Sequence, residues 1–313
     1  MKTITIEGVK DFSPDHIFGC GQCFRWERQS DGSYEGIAKG NIARIYFEAQ
    51  DPENPFGPGT LTIETTREEE HNGQTGGLQK EQEISFWRGY FDLDRDYGKI
   101  KKELVSRDTV MGEAIKSGEG IRILDQEPWE TVVSFIISSN NNIPRIKKCI
   151  NCLAENFGQR AGTCRGKEYY SLPEPRVLAA LTKEDLACCR LGYRAGYLIK
   201  TAVKIKEDGK EKLEDLRECS CEDCFSYIKN LSGVGPKVAD CILLFSLRKK
   251  NRFPVDVWMR KVMHELYGFA EDDIKGMSDF AEETFGEYAG IAQQYLYYHM
   301  RKKDEKRKEK KSR

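Results

Sequence analysis

The chain has 313 residues, enough for about two domains and a sizeable core. Hydrophobic residues make up 39% and charged residues 32%, and no apolar run approaches the ~20 residues of a membrane helix, which excludes a helical membrane protein and places the chain among soluble globular ones. The formal net charge of −1 gives no global basic footprint, so any nucleic-acid surface must be local.

The N-terminal stretch Met1-Lys2-Thr3-Ile4-Thr5-Ile6-Glu7 has no apolar core of signal-peptide length. The expected location is intracellular: cytoplasm or nucleoid in a bacterium, nucleus in a eukaryote. To about residue 70 the chain reads as strands. Ile4 and Ile6 alternate with polar residues, and Phe24–Trp26, 34–38 and 42–47 follow, split by Asp31-Gly32 and Gly40-Asn41. Aromatic and branched residues with turn signals at this spacing predict an antiparallel, twisted meander. Residues 51–59 carry Pro and Gly and read as a loop, and the polar stretch 67–83 as a mobile connector.

After Ile84 the period becomes helical. Phe86, Tyr90 and Phe91 begin it, Leu93, Ile100 and Leu104 follow, and Trp129, Val132, Val133 and Phe135 to Ile137 read as a buried helix. Further helices are predicted at 143–157, 175–181, 183–188, 195–206, 221–230, 237–246, 257–267, 277–285 and 290–303. Strands followed by helices define an α+β fold. The predicted division is an N-terminal sheet domain with flanking helices over 1–120 and a helical body over 121–313. Residues 301–313 carry nine Lys/Arg against three Asp/Glu, read as the solvated, fraying end of a helix in preference to a DNA-binding arm.

Eleven cysteines in an intracellular chain read as reduced thiols. Cys20-x-x-Cys23, Cys149-x-x-Cys152 and Cys219-x-Cys221-x-x-Cys224 resemble half-sites for zinc. Zinc needs two halves together, and no neighbouring pair in the sequence completes any of them. No metal and no organic cofactor is expected, and most thiols read as small buried hydrophobes.

The segment with most chemistry is Leu231-Ser232-Gly233-Val234-Gly235-Pro236-Lys237-Val238-Ala239-Asp240, followed by Pro254-Val255-Asp256. The glycines allow a tight turn between two helices at about 221–246, and Pro236 suits a first helical position. Free N–H groups at Gly233, Gly235, Lys237 and Val238 form a phosphate seat; the same segment is also compatible with an ordinary helical corner. A lysine in the first turn of a helix faces an unfavourable dipole that lowers its pKa, as an amine nucleophile requires. Asp256 reads either as a plain N-cap or as a carboxylate held where positive charge develops on a sugar.

These residues resemble the helix–hairpin–helix DNA glycosylase superfamily. Gly21-Gln22-Cys23-Phe24-Arg25-Trp26, Phe135-Ile136-Ile137-Ser138-Ser139-Asn140-Asn141-Asn142-Ile143, Leu191-Gly192-Tyr193-Arg194-Ala195 and Tyr288-Ala289-Gly290-Ile291-Ala292-Gln293 extend the resemblance to the 8-oxoguanine DNA glycosylase family. They run in family order over residues 21–297. The resemblance implies a helix–hairpin–helix body behind the sheet, a double-stranded DNA substrate containing 8-oxoguanine, base flipping, and no cofactor, membrane or partner subunit. It implies that Lys237 attacks the anomeric carbon and forms a Schiff base, followed by β-elimination, and that Asp256 stabilises the developing charge. The Gly21 carbonyl would accept from the N7–H of the oxidised base, Gln293 would pair with its Watson–Crick edge, and Cys241 and Tyr297 would sandwich it. Asn140 would fill the vacated stack, Tyr193 would wedge beside the opposite base, and Arg145 and Arg194 would donate to the opposite cytosine.

Without the resemblance, three consecutive asparagines read as capping and turn chemistry. Trp258 stands where a branch of the family has His, and Pro144 where Ala is common, which leaves a phosphate contact and opposite-base selectivity open. An iron–sulfur relative is disfavoured because no cysteine follows Cys241. A related glycosylase for another damaged base, or a non-catalytic hairpin module, is the alternative; the latter needs neither Lys237 nor Asp256.

Overall fold

The computed structural model describes residues 2–65 and 76–311. The five strands β1 (Lys2–Val9), β2 (Trp26–Arg28), β3 (Tyr34–Ala38), β4 (Asn41–Ala49) and β5 (Gly59–Thr65) form one antiparallel sheet in the order β1-β5-β4-β3-β2. The β3–β4 turn places Lys39 and Gly40 at φ 48° and 80°, the left-handed pair that matches strand twist. The expected meander is therefore present, and β5, which the residue pattern does not single out, pairs with both β1 and β4.

The helices in order are α1 (Pro14–Gly19), α2 (Gly76–Tyr90), α3 (Tyr97–Arg107), α4 (Val110–Ser117), α5 (Pro128–Ser138), α6 (Ile143–Phe157), α7 (Pro175–Leu178), α8 (Arg194–Asp208), α9 (Glu211–Asp215), α10 (Cys221–Lys229), α11 (Pro236–Ser246), α12 (Val257–Tyr267), α13 (Ile274–Phe285) and α14 (Ala289–Lys311). The stretch 76–83, expected as connector, belongs to α2; the rest of that connector before Gly76 lies outside the described residues. The reason is tertiary. Trp87, Tyr90 and Phe91 at the end of α2 are buried against the sheet, where Trp26 donates to the Tyr90 hydroxyl at 2.9 Å.

A hairpin not foreseen, β6 (Arg160–Cys164) and β7 (Lys167–Tyr170), covers the other side of the sheet, where Cys164 and Tyr169 pack on Ile37 and Ile42. The second and larger core surrounds α5, whose Trp129, Val132, Val133, Ile136 and Ile137 are all buried. α3 and α4, grouped by sequence with the sheet, bury Ile100, Leu104, Met111 and Ala114 in this second core. Buried Asp125 joins the two halves, pairing with Lys39 of the β-turn at 3.1 Å, with Arg217 at 3.1 Å and with Arg248 at 3.0 Å. The basic C-terminal segment is a continuation of α14 held on α12, with Lys261 on Asp304 at 3.4 Å and Glu265 taking Lys303 and Arg307. It is not a frayed end as far as Arg307.

α1 carries a pH-sensitive contact. The Gly120 N–H donates to His16 Nδ1 at 3.2 Å, which requires a neutral ring. Burial, opposed by Asp15 and aided by Lys302, lowers the His16 pKa from 6.5 to about 4. Between those values the unfolded chain binds a proton that the folded chain does not, so stability falls as pH falls through this window. Urea midpoints at pH 7 and pH 5 should drop less for His16→Gln than for the wild type; equal drops would mean that His16 does not carry the effect.

Candidate active site

The hairpin fits between α10 and α11. Leu231 and Val234 are buried, and the Thr201 hydroxyl of α8 donates to the Ser232 carbonyl at 2.8 Å. Gly233 sits at φ 81°, and a Cβ there would lie 2.7 Å from the Tyr197 side chain, so both conformation and space demand glycine. Gly235 caps α11 with no side chain, Pro236 follows, and Val238 is buried. Among the described residues, no acceptor takes the N–H groups of Gly233, Gly235, Lys237 or Val238. They form an open donor cluster at a helix N-terminus, which suits a phosphate.

Lys237 points from the first turn of α11 into a pocket of about 380 Å³, with Nζ 5.6 Å from the centre of the Phe135 ring. Asp256, N-cap of α12, accepts from the Met259 N–H at 2.9 Å and lines the same pocket. Gly21, Cys241, Gln293 and Tyr297 complete it, so residues separated by more than 270 positions meet in one cavity. Among the described residues no carboxylate is in ion-pair contact with Lys237.

The electrostatics reverse one expectation. Burial pulls the Lys237 pKa down, but Cys241, Asp256 and Tyr297 outweigh it and hold the ammonium above its ordinary value. Burial in turn pushes the Cys241 thiol up to about 11 despite Lys237, so at neutral pH Cys241 is uncharged. The resting lysine is an ammonium, which must lose a proton before it can act as the nucleophile that the resemblance implies. The helix dipole does not by itself set the sign.

Gly21 lies in the left-handed region at φ 79°, and a methyl on it would come 3.1 Å from the Tyr297 hydroxyl. Its carbonyl accepts no hydrogen bond among the described residues. Gln22, fully buried, ties this loop to the helical body: its amide donates to the Arg122 carbonyl at 2.8 Å, and its oxygen accepts from the Leu124 N–H at 2.8 Å. Gln293 is buried, donates to the Pro254 carbonyl at 3.3 Å, and accepts from Gln294 at 2.7 Å.

The asparagine run divides its labour. Asn141 donates to the Ile137 carbonyl at the end of α5, and Asn142 caps α6 by accepting from the Arg145 N–H at 3.0 Å. Asn140 is left exposed in the left-handed region at φ 48°, with no side-chain hydrogen bond among the described residues. Tyr193 is 56% exposed beside it, its hydroxyl donating to the Ser139 carbonyl at 3.4 Å. Arg145 is exposed at the start of α6 and has one donor on the Arg190 carbonyl at 3.4 Å. Arg194 does not sit free as expected: it is buried, and its guanidinium donates to the carbonyls of Leu191, Ser139 and Asn140. In this structure it braces the turn that presents Asn140.

Gln22, Gln294, Phe135 and Arg301 carry no assigned role in the sequence. Gly290, Gln293, Gln294, Tyr297 and Arg301 recur at near-helical spacing on α14, a stripe that would have drawn attention to Gln294 and Arg301. Gln294 Oε1 is buried without a partner while its amide holds Gln293. Gln294→Leu keeps the volume and removes this hold. On the activity that the resemblance implies, single-turnover base release should slow roughly tenfold, the worth of one buried hydrogen bond, with a smaller effect on strand cleavage at a preformed abasic site. Equal losses on both substrates would remove Gln294 from base positioning.

The chain matches two family profiles: the N-terminal domain of 8-oxoguanine DNA glycosylase over residues 5–132, and the HhH-GPD superfamily of base excision DNA repair proteins over residues 133–285. Sheet, hairpin and pocket thus define a helix–hairpin–helix base excision DNA repair protein. Its fold superposes on MBOgg1, solved with a low affinity DNA ligand, at a TM-score of 0.85 and 39% identity over 97% of each chain. It superposes on the Clostridium acetobutylicum 8-oxoguanine glycosylase/lyase, solved with double-stranded DNA containing cytosine opposite 8-oxoG, at 0.82 and 39% identity over 97% of this chain and 99% of that one. A probable N-glycosylase/DNA lyase of Methanothermobacter thermautotrophicus is 32% identical over 62% of this chain and 68% of its own. The chain belongs to the 8-oxoguanine DNA glycosylase family.

Proposed function

We propose that this chain excises 8-oxoguanine from duplex DNA and then cleaves the strand, as a bifunctional DNA N-glycosylase and abasic-site lyase. The observation that carries this reading is the convergence of Lys237, Asp256, Gly21, Cys241, Gln293 and Tyr297 on one cavity. The names of the Clostridium and Methanothermobacter relatives support the same activity.

The hairpin N–H cluster seats a backbone phosphate, and the lesion is extruded into the pocket. Cys241 and Tyr297 take its two faces and Gln293 its Watson–Crick edge. The Gly21 carbonyl accepts from N7–H, a donor that guanine lacks, since guanine N7 is itself an acceptor. Lys237 loses a proton and its amine bonds to the anomeric carbon as the glycosidic bond breaks and its electron pair leaves with the base. Asp256 stabilises the oxocarbenium-like charge. The nitrogen lone pair then opens the C1′–O4′ bond, with the ring oxygen taking up a proton, to give the Schiff base; removal of a C2′ proton drives the β-elimination that expels the 3′ phosphate. Asn140 and Tyr193 occupy the gap in the duplex, and Arg145 donates to the opposite cytosine. For Arg194 to do the same, it must release the carbonyls of Ser139 and Asn140.

The test is incubation with duplexes holding 8-oxoguanine opposite each of the four bases, with and without borohydride. Base release with covalent trapping is the expected result, and an otherwise identical guanine duplex should give neither. Release without trapping would overturn the lyase half; no release opposite any base would overturn the substrate.

A further inference from the structure

The half-site Cys149-x-x-Cys152 has no partner in the sequence nearby, but it has one in space. Cys188 and Cys189, in the 3-10 turn of residues 185–189, come against α6 so that the sulfurs of Cys152, Cys188 and Cys189 all lie within 4.8 Å of one another. Cys188 and Cys189 Sγ are 3.8 Å apart. Two sulfurs on a tetrahedral zinc, each at about 2.3 Å, stand about 3.8 Å apart. Cys149, one helical turn before Cys152, lines the same cavity, with its sulfur outside the three-sulfur cluster and 4.0 Å from the Arg190 carbonyl.

We propose that Cys152, Cys188 and Cys189, with Cys149 as the fourth ligand, form a structural zinc site that clips α6 to the 185–189 turn. The surroundings fit the chemistry of a thiolate-rich centre. Four thiolates outnumber the charge of one zinc ion by two, and Arg145, Lys148 and Arg190 line the cavity to offset the excess. Asn156 Nδ2 donates to Cys152 Sγ at 3.4 Å, the outer hydrogen bond that orients a metal-bound sulfur. Cys149 and Cys189 are buried and Cys188 is exposed, so the cavity has a closed floor and an entry side. Each thiol releases its proton to solvent as the metal binds.

The place of the site gives it a purpose. α6 begins with Asn142 and Arg145, and the turn leads directly into Arg190, held at φ 52°, and then Tyr193 and Arg194. A metal bridging these segments fixes, at one point, the two elements that carry Arg145 and Tyr193. This last point rests on the glycosylase reading; the metal site itself does not.

The full-length protein, purified from zinc-supplemented medium, should contain close to one zinc per chain by elemental analysis. Replacing zinc with cobalt should give the visible bands of a tetrahedral cobalt thiolate. Cys188→Ser, at an exposed position, should lower zinc affinity at least about tenfold, and Cys152→Ser with Cys189→Ser should abolish stoichiometric binding. Cys219→Ser, in the other cysteine cluster, should retain it. Far-UV circular dichroism and a melting curve on each variant separate loss of the ligand from loss of the fold. Wild-type protein without zinc and with all thiols free, zinc that persists in the double variant, or a disulfide among the three thiols would each overturn the proposal. Absence of base release in a protein that holds zinc would instead count against the glycosylase reading alone.

Discussion

Lys237→Gln should abolish base release and borohydride trapping while the variant still binds lesion DNA. The substitution keeps a polar side chain of similar bulk, one bond shorter, near Phe135 at the head of α11, so the hairpin donors and the pocket walls stay in place. What disappears is the one amine in the cavity, and loss of a covalent nucleophile costs roughly four orders of magnitude or more in rate. Gel-shift titration against an 8-oxoguanine duplex and single-turnover base release on the same preparation make the comparison. Trapping that survives in the variant would assign the nucleophile to another residue.

The cap made by Asp256 and the catalytic role proposed for it can be separated by substitution. Its carboxylate caps α12 by accepting from the Met259 N–H at 2.9 Å, and it faces the cavity that holds Lys237. Asn can still accept that bond; Ala cannot. Asp256→Ala should therefore lose about 1 kcal/mol of stability and melt a few degrees lower, while Asp256→Asn should stay within a few tenths of a kcal/mol of the wild type. Both should slow base release by about 10²–10³, because neither carries the negative charge that the proposed mechanism places at the sugar. If Asp256→Asn released base at close to the wild-type rate, the residue would be a cap and nothing more.

The helices legible in the residues are those with their own local signals. α6 and α12 run as the pattern predicts because Asn142 and Asp256 cap them and an apolar stripe follows each. The hairpin is legible for the same reason: its glycines, proline and lysine are neighbours in sequence, and their conformations depend on one another. β6 and β7 are not, since their few residues are mostly polar and are strands because they cover the outer face of a sheet formed more than a hundred residues earlier. The start of α2 is a similar case. A polar, glycine-containing stretch becomes helical where the chain leads into three aromatic residues that the sheet buries.

By itself, then, the sequence carried the local arrangement and the family resemblance from which the reaction type follows. A lysine in the first turn behind a glycine hairpin, and an aspartate placed as an N-cap, are short-range arrangements that the chain settles within a few residues. Only the tertiary structure decided how Lys237 is charged, that Arg194 turns inward to brace the Asn140 turn, and that Gln294 holds Gln293. It also decided that two cysteine pairs separated by 36 residues share one cavity. Charge, burial and metal geometry depend on what lies within a few ångströms in space, and for these groups those neighbours come from distant parts of the chain.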